Sequence, residues 1–141
     1  MNLGVLATAL VMGISALGSA IGVNIASQAT IGSWKKCYMS NKVAPFILTV
    51  FAGAPLTQTI YGFLLMQQMR GSSADPTFLF GLGITAALTI ACSAIFQGKA
   101  GAAGADALAE TGKGFSQYIT VVGLCETVAL FSLVFSMVAL G

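Results

Sequence analysis

Ile119-Thr-Val-Val-Gly-Leu-Cys-Glu126-Thr-Val-Ala-Leu-Phe-Ser-Leu-Val-Phe-Ser-Met-Val-Ala-Leu140 is an apolar run broken by one charge, the carboxylate of Glu126. A helix needs about 20 predominantly apolar residues to cross a bilayer, and this run is long enough. A carboxylate at that depth costs about 2.5 to 3.5 kcal/mol even on the gentler insertion scale. Acids placed there face a cavity or a partner and handle ions or protons, so the run predicts both a spanning helix and a protein that moves a cation.

The rest of the chain is built in the same way. Of its 141 residues 57% are hydrophobic and 7% charged, and the mean hydropathy is +0.92. A soluble domain needs a charged shell that this composition does not supply. The net charge of +2 is small and its basic residues are scattered, which argues against nucleic-acid binding. There is no histidine, and Cys37, Cys92 and Cys125 have the spacing of neither a metal site nor a disulfide framework. Cys92 and Cys125 are expected to act as small hydrophobes in helices.

Apolar length predicts four spans: Leu3 to Ile31, Ala44 to Met69, Thr77 to Leu108 and Phe115 to Leu140. The fold class is therefore an all-α membrane protein of four transmembrane helices, with 1–141 as a single membrane domain. The first stretch lacks a basic leader and exceeds the roughly 7 to 15 apolar residues of a signal peptide, so it is expected to be retained. Lys35, Lys36 and Lys42 lie between spans one and two, which by the positive-inside rule makes that connection cytoplasmic. The turn from Glu110 to Lys113 is then cytoplasmic too, with both termini and the Arg70 turn on the other side. The third span is longer than a core of roughly 30 Å requires, and its polar end, marked by Lys99, Asp106 and Glu110, is expected to project from the lipid.

A weak duplication relates residues 1–70 to residues 71–141. Ser19-Ala-Ile21 recurs as Ser93-Ala-Ile95, and Lys42, Thr49-Val50 and Met66 match Lys113, Thr120-Val121 and Met137. The halves are two duplicated helical hairpins running the same way. In that alignment Pro55 takes the place of Glu126, so the second hairpin alone carries an acid. Gly18 and Gly22 form a GxxxG pair, and Ser93, Gln97 and Gly101 follow the same step, which suits a crowded layer formed by spans one and three.

Span two contains Ala54-Pro-Leu-Thr-Gln-Thr-Ile-Tyr61. Positions 54, 57, 58 and 61 share a helical face, so the Ala54 carbonyl, Thr57, Gln58 and Tyr61 form a polar stripe. Pro55 frees the carbonyl of Phe51, which is expected to offer backbone oxygen to an ion. Counting from the connections at 1.5 Å per residue puts Glu126 and Gln97 at about 20 Å and Thr57 at about 22 Å, so the three can meet at one level. One carboxylate, one hydroxyl, two amide oxygens and a backbone carbonyl make a hard-cation donor set. A proton would need Glu126 alone, so the added oxygens tilt the reading from H⁺ towards Na⁺. Taken singly, Thr57 bonding its own helix, Tyr61 packing, and Gln58 and Gln97 joining helices are plain alternatives.

These motifs resemble the proteolipid (K, or c) of V-type and A-type rotary ATPases. The resemblance rests on Pro-Leu-Thr-Gln-Thr-Ile-Tyr61, on Gln-Gly-Lys99 followed by Ala-Gly-Ala-Ala-Gly, and on Leu-Cys-Glu-Thr127, and it covers nearly the whole chain. It implies a homo-oligomeric rotor ring of identical subunits turning against a stator subunit with an essential arginine. Central-stalk subunits on the cytoplasmic side and surrounding lipid are the other implied partners.

The chain is more specifically similar to the sodium-translocating bacterial members. That likeness implies Na⁺ ligands at Glu126, Thr57, Gln58, Gln97 and the backbone carbonyl of Ala54, with Tyr61 hydrogen-bonded to the carboxylate. The sequence departs from those relatives at Ala54, where they carry a larger aliphatic residue. The chain has no Gly-Lys-Ser/Thr phosphate loop, so ATP chemistry is expected on other subunits and no catalysis by this chain alone. A four-helix cation-coupled secondary transporter is the alternative, although such proteins are expected to carry their acid in an early helix.

Overall fold

The computed structural model describes residues 2–141. Among the described residues four helices are long and apolar enough to cross a membrane: α1 (Leu3–Met39), α2 (Phe46–Gly71), α3 (Pro76–Thr111) and α4 (Phe115–Leu140). Each follows from continuous apolar sequence, and no strand occurs among the described residues. The boundaries differ from expectation chiefly in α1, which continues past Ile31 through Trp34, Lys35 and Lys36. No glycine or proline after Gly32 breaks it before Ser40 and Asn41, the latter with φ 51°. The extension is held by Lys36, whose Nζ lies 2.7 Å from Asp106 and 3.7 Å from Glu110 on α3. Trp34 Nε1 also donates to the Pro45 carbonyl at 2.8 Å, which ties the start of α2 to α1.

Local chemistry sets the helix ends. Asp75 caps α3, its Oδ1 accepting the amides of Thr77 at 2.8 Å and Phe78 at 3.1 Å, with Pro76 in the first turn. Gly112, at φ 66°, closes α3 in the left-handed conformation that favours glycine, its amide donating to Leu108 O at 2.8 Å.

The most extensive interface is between α1 and α3. A Cβ on Gly98 would lie 2.2 Å from the Gly22 carbonyl oxygen, and one on Gly18 would lie 2.3 Å from the Ala91 Cα. The two backbones are therefore in direct contact, as small residues at helical spacing allow. The paired positions advance together, from Ala7 beside Gly83 to Cys37 beside Ala109, so α1 and α3 run parallel and in register. On the flanks, α2 packs against α1, where Gly62 meets Ser15, and α4 packs against α3. Two buried apolar clusters fill the ends of the bundle. One centres on Val11, Leu65, Met69 and Leu133, and the other on Leu48, Phe51, Ala105 and Val122. The polar residues lie between them.

Candidate functional site

The site forms where α2, α3 and α4 meet. In α2 the helix tightens to a 3₁₀ turn at Ala54–Leu56 and resumes α-helical geometry at Thr57. Pro55 forces this change because it has no N–H to continue the ladder. The Phe51 carbonyl that it frees does not serve the polar cluster, contrary to expectation. It faces Gly101 of α3, where an added Cβ would stand 2.8 Å from that oxygen. The reason is spatial: Pro55 is buried and lies against Gly22 of α1, so the turn's loosened side faces the interior of the bundle rather than α4.

The expected site residues converge. Gln97 lies on the buried face of α3, and its Nε2 donates to Glu126 Oε2 at 3.1 Å and to the Val122 carbonyl at 3.1 Å. Gln58 Nε2 donates to Gln97 Oε1 at 2.7 Å. Thr57 Oγ1 lies 3.1 Å from Gln58 Oε1 and 3.2 Å from the Ala54 carbonyl, so its single proton is shared between the amide and its own helix. The Tyr61 hydroxyl donates to Glu126 Oε1. Three helices thus contribute to one continuous network, and Gln58 and Gln97 are fully buried.

The amide orientations follow from chemistry. The Val122 carbonyl can only accept, so Gln97 must present its NH₂ group to α4 and its oxygen to Gln58. That in turn requires the NH₂ of Gln58 to face Gln97, leaving the Gln58 oxygen with Thr57 and the Ala54 carbonyl. Both partners of Glu126 are donors, the arrangement that an ionised carboxylate accepts. Among the described residues the salt bridges are those of Lys36 with Asp106 and Glu110, so no cationic side chain pairs with Glu126. Lys99 is exposed and lies 5.5 Å from the Phe96 ring centroid.

Glu126 is half-buried, and its neighbours along α4, Val121, Leu124 and Val128, are more than half exposed. The carboxylate sits at the rim of the bundle, between a polar interior and an apolar exterior. Ser93, which the sequence marks as part of the repeat and of a small-residue step but not as a site residue, also joins the network. Its Oγ donates to the Cys125 carbonyl at 2.7 Å and lies 3.4 Å from Gln58 Nε2. Its position one helical turn before Gln97 is the signal that the sequence offers.

Residues 80–139, which include Gln97 and Glu126, match the family model of the ATP synthase C subunit. The A-type ATP synthase subunit K of Methanocaldococcus jannaschii is 34% identical over 140 residues, covering 98% of this chain and 61% of that protein. The chain is thus similar to ATP synthase C subunits over its second hairpin and to an archaeal subunit K along nearly its whole length. It spans about three-fifths of the length of the archaeal subunit K. The segment that matches the family model carries the acid and one amide of the network. The Thr57, Gln58 and Tyr61 stripe lies outside that segment but inside the alignment with subunit K. The departure at Ala54 has a packing context here, since this residue is partly buried against the cluster containing Phe51 and Leu48.

Proposed function

We propose that this chain is a subunit of the rotor ring of a V-type or A-type rotary ATPase and carries Na⁺ on Glu126. Its likeness to an A-type ATP synthase subunit K supports the rotor. The observation that carries the ion reading is Glu126 itself, a membrane-level carboxylate with donors from α2 and α3 and no paired cationic side chain among the described residues. Such a charge needs a counter-cation from outside the chain. Thr57 Oγ1, the Gln58 oxygen and the Ala54 carbonyl supply hard donors in the same network, and the Gln97 oxygen, here accepting from Gln58, would join them on turning to the ion, a set that suits Na⁺ better than a bare proton. H⁺ is the alternative cargo on the same carboxylate.

In this proposal the bound ion neutralises Glu126 while the exposed apolar face of α4 passes through lipid. At the stator, an arginine replaces the ion as counter-charge and releases it. Identical copies form the ring, with α1 and α3 as its inner layer. The connections at 40–45 and around Gly112 face the cytoplasm and the central stalk, and both termini lie on the opposite side of the cell membrane. ATP is made or hydrolysed by other subunits.

The test is the rate at which a hydrophobic carbodiimide labels Glu126 in the assembled membrane complex at fixed pH. The sodium reading expects Na⁺ to slow labelling. Labelling that ignores Na⁺ at every concentration leaves the proton version. Recovery of a dimer rather than a large ring of this chain would favour a secondary transporter.

A further inference from the structure

We infer that Ser93 is a positioning residue for the ion site, holding the amide of Gln58 so that its oxygen stays turned to the ion side of the network. This inference rests on the sodium-carrying function proposed above.

Gln97 is fixed at three points: two donated bonds, to the Val122 carbonyl and Glu126, and one accepted from Gln58. Gln58 is less constrained. Its bond to Gln97 is one tether, about which a flexible side chain can swing, and the Thr57 hydroxyl on its other side can itself rotate. Ser93 supplies the second fixed point. The Ser93 proton is committed to the Cys125 carbonyl at 2.7 Å, so the lone pairs left on Oγ can only accept, and the group 3.4 Å away is the NH₂ of Gln58. Both hydrogens of that NH₂ are then used, on Gln97 and on Ser93. The Gln58 oxygen is left pointing toward Thr57 and the Ala54 carbonyl, where a hard cation would find it.

The anchor on α4 is rigid because Val122, Cys125 and Glu126 lie three and four residues apart on one face. They meet Ser93 and Gln97, four apart on α3. The first repeat offers a contrast within the same molecule. Ser19, the counterpart of Ser93 in the duplicated sequence, is also buried, yet its hydroxyl has no partner among the described residues. A serine at this register therefore does not find hydrogen bonds by default. Ser93 finds them because the second repeat brings an amide and an α4 carbonyl to it.

Preorganised ligands bind more tightly because less ordering is left for the binding step. Removing the hydroxyl leaves one Gln58 hydrogen buried without a partner and lets the amide turn.

The test measures the Na⁺ concentration that half-protects Glu126 from carbodiimide labelling in the assembled complex, comparing the parent with Ser93→Ala and Ser93→Thr. Ser93→Ala is expected to raise it about fivefold, the size of one neutral hydrogen bond. Ser93→Thr, which keeps the hydroxyl, is expected to stay within about twofold. Ring recovery in detergent reports folding for each variant. Half-protection of Ser93→Ala at the parent's concentration overturns the inference and leaves the sodium function standing. If Na⁺ fails to protect even the parent, the sodium function falls. Positioning is then read from the Na⁺-free labelling rate: a change in Ser93→Ala that Ser93→Thr reverses supports it, and identical rates overturn it.

Discussion

Gln97 Nε2 stands 3.1 Å from Glu126 Oε2 while the same nitrogen donates to the Val122 carbonyl, also at 3.1 Å. A residue of α3 thereby joins the acid to the backbone of the acid's own helix. The orientation of Glu126 depends on the α3–α4 interface as much as on α4.

Gln97→Ala removes this link and strands the NH₂ of Gln58. It is expected to raise the Na⁺ concentration for half-protection of Glu126 at least tenfold, since a hydrogen bond to a charged group contributes about 1.5 to 3 kcal/mol. The carbodiimide assay measures it, and an unchanged half-protection concentration would remove Gln97 from the site.

Tyr61 donates the other bond to Glu126, from α2. Tyr61→Phe keeps the ring that packs at the edge of the Val11 and Leu65 cluster and deletes the hydroxyl. On the proposed function, exchange of radioactive Na⁺ from the purified protein should speed up by about tenfold, the scale of one charge-assisted bond. Exchange at the parent's rate would mean that the hydroxyl does not hold the loaded carboxylate.

The contact between Gly98 and Gly22 leaves no room for a side chain, because a Cβ on Gly98 would fall 2.2 Å from a backbone oxygen. Nothing there can move aside without separating α1 from α3. Gly98→Val should destabilise the bundle by about 3 kcal/mol or more, at the upper end of the overpacking range. Gly13→Ala, at a position where a Cβ meets nothing within 4 Å, should be neutral. Melting of the purified protein in detergent compares the two.

At the Asp75 turn, the backbone amides of Phe78 and then Thr77 hold the exposed carboxyl below its ordinary value of 3.8. The lowered folded value means that the cap contributes fully above the unfolded value and is lost as pH falls through the folded one. Amide exchange at Thr77 and Phe78 should therefore stay slow at neutral pH and accelerate, relative to intrinsic rates, only in acid below about pH 4. Asp75→Asn keeps a capping oxygen without the titration, so its relative exchange should be flat with pH. An acid-sensitive Asn variant would put the effect elsewhere.

Much of the architecture is legible in the sequence because membrane crossing imposes a length and a polarity that show in any one segment. The run around Glu126 predicts α4 with the same ends that the structure shows, Phe115 and Leu140. The extension of α1 is less visible, because Lys35 and Lys36 have the polarity of a connector and only packing brings Asp106 and Glu110 of α3 beside Lys36. The carbonyl freed by Pro55 departs from expectation for a similar reason. Proline chemistry tells which oxygen loses its partner but not which way that oxygen points once α2 packs on α1. Ser93 is hidden in the same way, since a serine in a small-residue step is identical in sequence whether its hydroxyl is idle, like Ser19, or bonded across helices.

By itself the sequence determined four spanning helices, an acid at membrane depth, and a set of oxygen-bearing residues at a matching level. Those properties depend on hydrophobicity and helical rise, which are local and additive along a chain. Only the tertiary structure decided that Thr57, Gln58, Gln97, Tyr61 and Glu126 form one hydrogen-bonded network, and which way each amide faces. Such direction is set by acceptors fixed on neighbouring backbones, here the carbonyls of Val122 and Cys125, and these have no position until the helices have packed.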